Sequence, residues 1–161
     1  MNTSSSIVLS ELLSLGRINL ELKSATRDAV IEELVDQIAE FRNQPESRQT
    51  LIRALHEREL LHSTGIGDGV ALPHARNALI GLVEQPIMVF GRHPAGIPYG
   101  SIDRVPARLF FLLLAPTVTQ HLGILARVSR ILRDPKVRQQ LLAVDTANKV
   151  IATLREAEQK L

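Results

Sequence analysis

The run Leu109-Phe110-Phe111-Leu112-Leu113-Leu114-Ala115 is apolar at every position, so as a strand it must bury both of its faces. It is the longest such run and falls far short of the roughly 20 residues that cross a bilayer, so it calls for a sheet covered by helices on both sides. Ile87 to Arg92 reads as a second central strand, and the Gly- and Pro-rich stretch between the two as a turn or edge strand.

The covering helices show in the spacing of apolar residues. Val30, Leu34, Val35, Ile38 and Phe41 recur on one helical face, which predicts a helix from about Ala25 to Phe41 with Ser24 as its cap. Pro45 suits the first position of a second helix, running to about Glu59 and burying Leu51, Ile52 and Leu55, so the two form a hairpin. Leu122, Leu125, Val128, Ile131 and Leu132 predict a helix from Thr119 to Asp134 with Thr119 as cap. Asp134-Pro135 opens another, and Asp145 caps a last one. At the start, Ile7 to Leu15 reads as a short amphipathic helix and Arg17 to Leu22 as a strand. With no internal repeat and no long linker, residues 1–161 are expected to form one α/β domain: three α/β/α layers around a mixed, roughly five-stranded sheet.

The 45% hydrophobic content is enough for a core without staples, and the absence of cysteine excludes disulfides, zinc–thiolate sites and cysteine nucleophiles together. Covalent chemistry must then fall to histidine. Met1 to Ser6 lacks the basic start, apolar stretch and cleavage site of a secretory signal, so the expected location is cytoplasmic, without membrane insertion. A formal charge of only +2, dispersed among acids, and 3% aromatic residues argue against nucleic acid. A phosphoprotein partner fits this surface better.

The most unusual segment is Ser63-Thr64-Gly65-Ile66-Gly67-Asp68-Gly69, whose three glycines suit left-handed backbone angles and close approach to a ligand. It lacks the Gly-Lys-Ser/Thr ending of a nucleotide-binding loop and precedes a strand rather than a helix. Val70 to Leu72 is extended and Pro73 stops it, which mounts His74 at a strand end. A phosphoryl acceptor needs a neutral imidazole nitrogen facing the donor, a fixed ring, and cationic or N–H groups around the incoming oxygens. Arg58 closes the preceding helix, His121 lies in the first turn of a later one, and Ser63 and Thr64 add hydroxyl donors. Spacing alone leaves bland roles open: His74 as a structural histidine, His121 as an exposed helix-start residue, Arg58 as a cap for helix carbonyls. His56, His62 and His93 read as surface residues, and Arg127, Arg130, Arg133 and Arg138 as the solvated face of the late helices. A zinc site from His62, His74 and His121 lacks any tight ligand spacing, so no metal is expected.

The stretch from Arg58 to His74, Arg-Glu-Leu-Leu-His-Ser-Thr-Gly-Ile-Gly-Asp-Gly-Val-Ala-Leu-Pro-His, closely resembles the active-site signature of type-2 enzyme IIA domains of the bacterial phosphotransferase system. These are the fructose/mannitol family and its nitrogen-regulatory branch, and Thr119-Gln120-His121-Leu122 matches the family's second-histidine helix start. The resemblance implies a phosphocarrier with a mixed sheet between helices and no cofactor. His74 would take phosphate from a histidine phosphocarrier protein, itself charged from phosphoenolpyruvate. Arg58 and His121 would support the phosphohistidine, with Ser63, Thr64, Gly65 and Gly67 forming the phosphate loop. Family members often carry glycine after the histidine, whereas Ala75 and Arg76 stand here. If the loop needs a positive φ at 75, its geometry must differ, and Arg76 becomes a candidate for the phosphate or partner surface. No IIB or IIC segment shares the chain, which favours the nitrogen-regulatory role. The rivals are a sugar-specific IIA component serving a separate IIB, and a non-catalytic docking module.

Overall fold

A computed structural model describes residues 7–161, so the polar Met1–Ser6 stretch lies outside the described residues. Its sheet has five strands, β1 (Ile18–Asn19), β2 (Gly65–Gly67), β3 (Val70–Ala71), β4 (Ile87–Ile97) and β5 (Ala107–Leu114), in the order β1-β4-β5-β3-β2. The sheet is mixed: β1 runs parallel to β4 and β3 parallel to β5, while β4 with β5 and β2 with β3 are antiparallel.

The apolar run behaves as its composition demands. Phe110, Leu112 and Leu114 of β5 enter one core, and Leu109, Phe111 and Leu113 enter another on the opposite face. The first core packs against α2 (Arg27–Val35) and α3 (Pro45–Leu61), with Val30, Leu34, Leu51 and Leu55 buried there. The second packs against α1 (Leu9–Leu12), α4 (Val118–Ile131), α5 (Pro135–Ala143) and α6 (Ala147–Gln159). Two helical layers thus enclose the sheet, the three-layer α/β/α arrangement that the burial pattern predicts. No described helix is long and apolar enough to cross a membrane.

Several boundaries differ from the sequence expectation. The helix expected through Phe41 ends at Val35. Ile38 is extended, and a short 3-10 turn over Ala39–Phe41 carries Phe41 into the core, so burial spacing continues without helix. Its cap is Thr26, whose hydroxyl accepts from the Ala29 N–H at 3.2 Å; Ser24 is committed elsewhere, its N–H to Glu33 and its carbonyl to His93. Thr117 rather than Thr119 caps α4, and Thr146 rather than Asp145 caps α6, while Asp145 pairs with Lys149 at 2.7 Å. The helix expected over Ile7 to Leu15 is a single turn followed by a 3-10 turn, and the strand after it shrinks to Ile18–Asn19. The Gly/Pro stretch continues β4 to Ile97, with a register shift between Arg92 and Ile97 that accommodates Pro94.

The expected surface histidine His93 is also buried: its Nε2–H donates to the Ser24 carbonyl at 2.9 Å and its Nδ1 accepts from Gly96 at 3.1 Å. Among the late arginines, Arg127 is not simply solvated but pairs with buried Glu158, whose carboxylate also accepts the Leu9 and Ser10 N–H groups and so ties α1 to α6. Arg138 donates to the Leu132 and Arg133 carbonyls at the end of α4.

Candidate active site

Three elements converge on His74. The chain leaves β3, passes Pro73, and keeps His74 beside β5 through a parallel bridge to Leu113, with the Leu113 N–H donating to the Pro73 carbonyl at 3.0 Å. A residue tethered to the central strand in this way is half-buried and held. From α4 comes His121, its ring centroid 5.6 Å from that of His74 and tilted by 58°. From the last turn of α3 comes Arg58, whose charge acts on the His74 ring.

The ring itself is oriented by one short contact: His74 Nδ1 lies 2.6 Å from the Leu72 carbonyl oxygen. A carbonyl can only accept, so Nδ1 carries the hydrogen and the lone pair of the neutral ring resides on Nε2. Burial is the largest influence on His74 and lowers its pKa below the ordinary 6.5. The Leu72 carbonyl opposes this, and the charges of Arg58 and His121 lower it further. Burial also lowers the pKa of His121. Both shifts favour the neutral ring, and in neutral His74 the lone pair sits on Nε2, away from the Leu72 carbonyl. Arg58 spends one N–H on the His62 carbonyl at 2.6 Å, closing α3 as a helix-end arginine does, and keeps the rest of its donor fork.

The glycine loop is built differently from a phosphate cradle formed by its side chains. The Ser63 hydroxyl donates to the Tyr99 carbonyl at 2.9 Å, and that of Thr64, which is only 3% exposed, donates to Glu59. Both hydroxyls are thus committed to interior partners. Gly65 is needed because a Cβ there would stand 2.0 Å from the Ser101 hydroxyl oxygen, and Gly67 because its φ is +94°. The first requirement is set by the β4–β5 connection that carries Ser101, the second by the turn between β2 and β3. Beside Arg58 opens a cleft of about 550 Å³, walled by Leu60, Leu61, Ala75 and Leu79 and edged by Arg76. Among the described residues no cluster of three His, Cys, Asp or Glu side chains could hold a metal.

Residues 11–157 match the family model described as "Phosphoenolpyruvate-dependent sugar phosphotransferase system, EIIA 2". The chain belongs to this family. It is 35% identical over 150 residues to the fructose-specific EIIA component of Haloferax volcanii, covering 92% of this chain and 95% of that one. It is 34% identical to the fructose-specific EIIABC component of Bacillus subtilis, again over 92% of this chain but spanning only 23% of that protein's length. The crystal structure of the nitrogen regulatory protein IIA-Ntr from Neisseria meningitidis superimposes with a TM-score of 0.81 at 31% identity, covering 92% of this chain and 99% of that one. Because the Haloferax protein is a fructose-specific component of similar length, chain length does not separate the two branches.

In this IIA domain the alanine after the histidine causes no strain. Ala75 is not among the residues with positive φ and is 3% exposed, so its methyl simply packs. Arg76 is exposed at the cleft edge. Tyr99 went unsignalled in the sequence, and Glu59 stood in the Arg58–His74 stretch with no role assigned to it. They lie behind the glycine loop, buried and bonded to each other at 3.1 Å, and the pKa of the Tyr99 hydroxyl is pushed up by burial and by the charge of Glu59.

Proposed function

We propose that this chain is a cytoplasmic phosphocarrier, acting as one IIA unit over residues 1–161, in which Nε2 of His74 accepts a phosphoryl group from a histidine phosphocarrier protein charged from phosphoenolpyruvate. The observation that carries this is the 2.6 Å Nδ1–H contact to the Leu72 carbonyl, which leaves the Nε2 lone pair free on a half-buried ring. That lone pair attacks phosphorus while the donor's P–N bond breaks, and the donor imidazole departs with the bond's electron pair. No proton need leave His74. Its ring gains positive character on phosphorylation, and the Leu72 carbonyl stabilises that charge through Nδ1–H. Arg58 offers its remaining N–H donors to the equatorial oxygens, and His121, when protonated, adds another.

A protein donor is favoured over a small molecule by the apolar rim. Leu60 and Leu61 at the end of α3 and Val118 and Leu122 at the start of α4 are more than half exposed, on the two helices that deliver Arg58 and His121. Downstream, we assign the chain to regulation of the nitrogen-regulatory type, supported by its likeness to the Neisseria protein. The fructose-specific relatives support a second reading, in which phosphate passes on to a separate IIB.

The test is incubation with phosphoenolpyruvate and the general phosphotransferase proteins, followed by intact-mass and peptide spectrometry. The wild type gains one phosphate and His74→Ala gains none. An unlabelled wild type would leave only the docking-module role. Addition of fructose-type IIB proteins then separates the branches: retention of the phosphate marks regulation, and its efficient loss to IIB marks sugar transport.

A further inference from the structure

Behind His74 lies a continuous chain of hydrogen bonds that begins at a buried carboxylate. Glu59, 4% exposed in the last turn of α3, accepts the Thr64 N–H at 2.9 Å through Oε1; through Oε2 it accepts the Thr64 hydroxyl and the Tyr99 hydroxyl, the latter at 3.1 Å. The Thr64 carbonyl then accepts the Leu72 N–H at 2.9 Å, and the Leu72 carbonyl accepts Nδ1–H of His74 at 2.6 Å.

Each link restricts the next. Thr64 is held on both sides, by its N–H and hydroxyl at Glu59 and by its carbonyl at Leu72. Leu72 is held by its N–H and confined to extended angles by Pro73, which aims its carbonyl at the ring. Tyr99 is clamped in turn by the edge of Phe110, with ring centroids 5.7 Å apart, and by the Ser63 hydroxyl on its carbonyl. Burying a carboxylate is costly unless every acceptor site is used, so three donors converging on Glu59 fix one arrangement of the loop. The same α3 turn carries Arg58 on its neighbouring position, so Glu59 also fixes the helix end from which the phosphate-binding fork projects.

Building on the assignment of His74 as phosphoryl acceptor, we propose that Glu59, with Thr64 and Tyr99, is a positioning residue for His74: it selects the Nδ1–H tautomer and ring orientation through Thr64 and Leu72, without touching the phosphate. Outer partners that orient metal-binding histidines are worth about 10- to 100-fold when removed, and an effect of that order is expected here by the same orienting role.

The test pairs a spectroscopic signature with a rate on three variants, Glu59→Gln, Thr64→Val and Tyr99→Phe. ¹⁵N NMR of the imidazole nitrogens reads the His74 tautomer in the unphosphorylated protein, and single-turnover phosphorylation by the phosphorylated carrier protein reads the rate. Thermal unfolding sets a temperature at which each variant is folded. The expected result is an increased share of the Nε2–H form with a rate loss of about tenfold or more in Glu59→Gln and Thr64→Val, and smaller shifts of the same sign in Tyr99→Phe, which deletes a single hydroxyl. A loss of thermal stability with the wild-type tautomer and wild-type rate in all three variants would overturn the proposal, because it would leave the cluster purely structural. If the wild type were not phosphorylated at His74, the phosphocarrier assignment would fall, while the tautomer spectra would still decide whether Glu59 orients the ring.

Discussion

Arg58 is placed to do two separable things, and substitution can pull them apart. One N–H holds the His62 carbonyl at the end of α3, an exposed bond whose loss costs at most about 1 kcal/mol of stability. The remaining donors are those proposed to meet the phosphate, where removing one preorganised donor to a developing anion typically costs a factor of about 10²–10³, or roughly 3–4 kcal/mol of barrier. Arg58→Ala is therefore expected to phosphorylate about 10²–10³ times more slowly while unfolding close to the wild-type midpoint. Arg58→Lys keeps the charge but loses the planar fork, and an intermediate loss of about tenfold is expected. A third effect has a definite sign: Arg58 lowers the His74 pKa, so its removal raises that pKa and makes the defect of Arg58→Ala deepen as pH falls. The assay is single-turnover quench with the phosphorylated carrier protein over a pH series, alongside an NMR titration of His74. A folded Arg58→Ala protein that reacts at the wild-type rate and leaves the His74 titration unmoved would refute the role given to this guanidinium.

Stability should fall with acid through the two site histidines. Both have folded pKa values lowered below 6.5, so the unfolded chain takes up protons first, and stability is lost as pH drops from about 6.5 toward the lowered values. Urea midpoints measured from pH 7.5 to 5 should show this slope, and His74→Gln should reduce it. At Gly91, in β4 beneath α2, an added Cβ would stand 2.6 Å from both the Leu22 and Leu34 methyls. Gly91→Ala should thus cost about 1–3 kcal/mol in chemical denaturation without changing the His74 tautomer.

Where a residue's role was decided by its immediate neighbours in sequence, the sequence showed it. Pro45 and the Asp134-Pro135 pair open α3 and α5 as expected, because proline fixes its own φ and an Asp cap needs only the N–H groups just ahead of it. The apolar run from Leu109 onward in β5 forced a sheet with two cores, and Pro73 ends β3 ahead of His74. Two of the misses, at Ser24 and His93, share a cause: the competing partner lies beyond the local segment. Ser24 could have capped α2, but Glu33 and His93 claim its backbone. His93 looked like a turn residue until β4 continued past Pro94 and packed it against Ser24.

The site divides in the same way. His74, Arg58 and His121 fall at element ends, which local patterning locates, whereas the pairing of Glu59 with Tyr99 spans 40 residues of sequence and has no local mark. Ser63 and Thr64 were expected as phosphate donors from their hydroxyls alone. Their actual acceptors, the Tyr99 carbonyl and Glu59, exist only once the hairpin has folded over α3.

The central claim is that phosphate resides on one particular atom. Two-dimensional ¹H–¹⁵N correlation of the ¹⁵N-labelled protein, recorded while phosphoenolpyruvate and the general phosphotransferase proteins keep it phosphorylated, resolves the two nitrogens of each imidazole, and phosphorus coupling marks the substituted one. The account predicts phosphate on Nε2 of His74, with Nδ1 still protonated against the Leu72 carbonyl. Phosphate on Nδ1 of His74, or on His121, would contradict it.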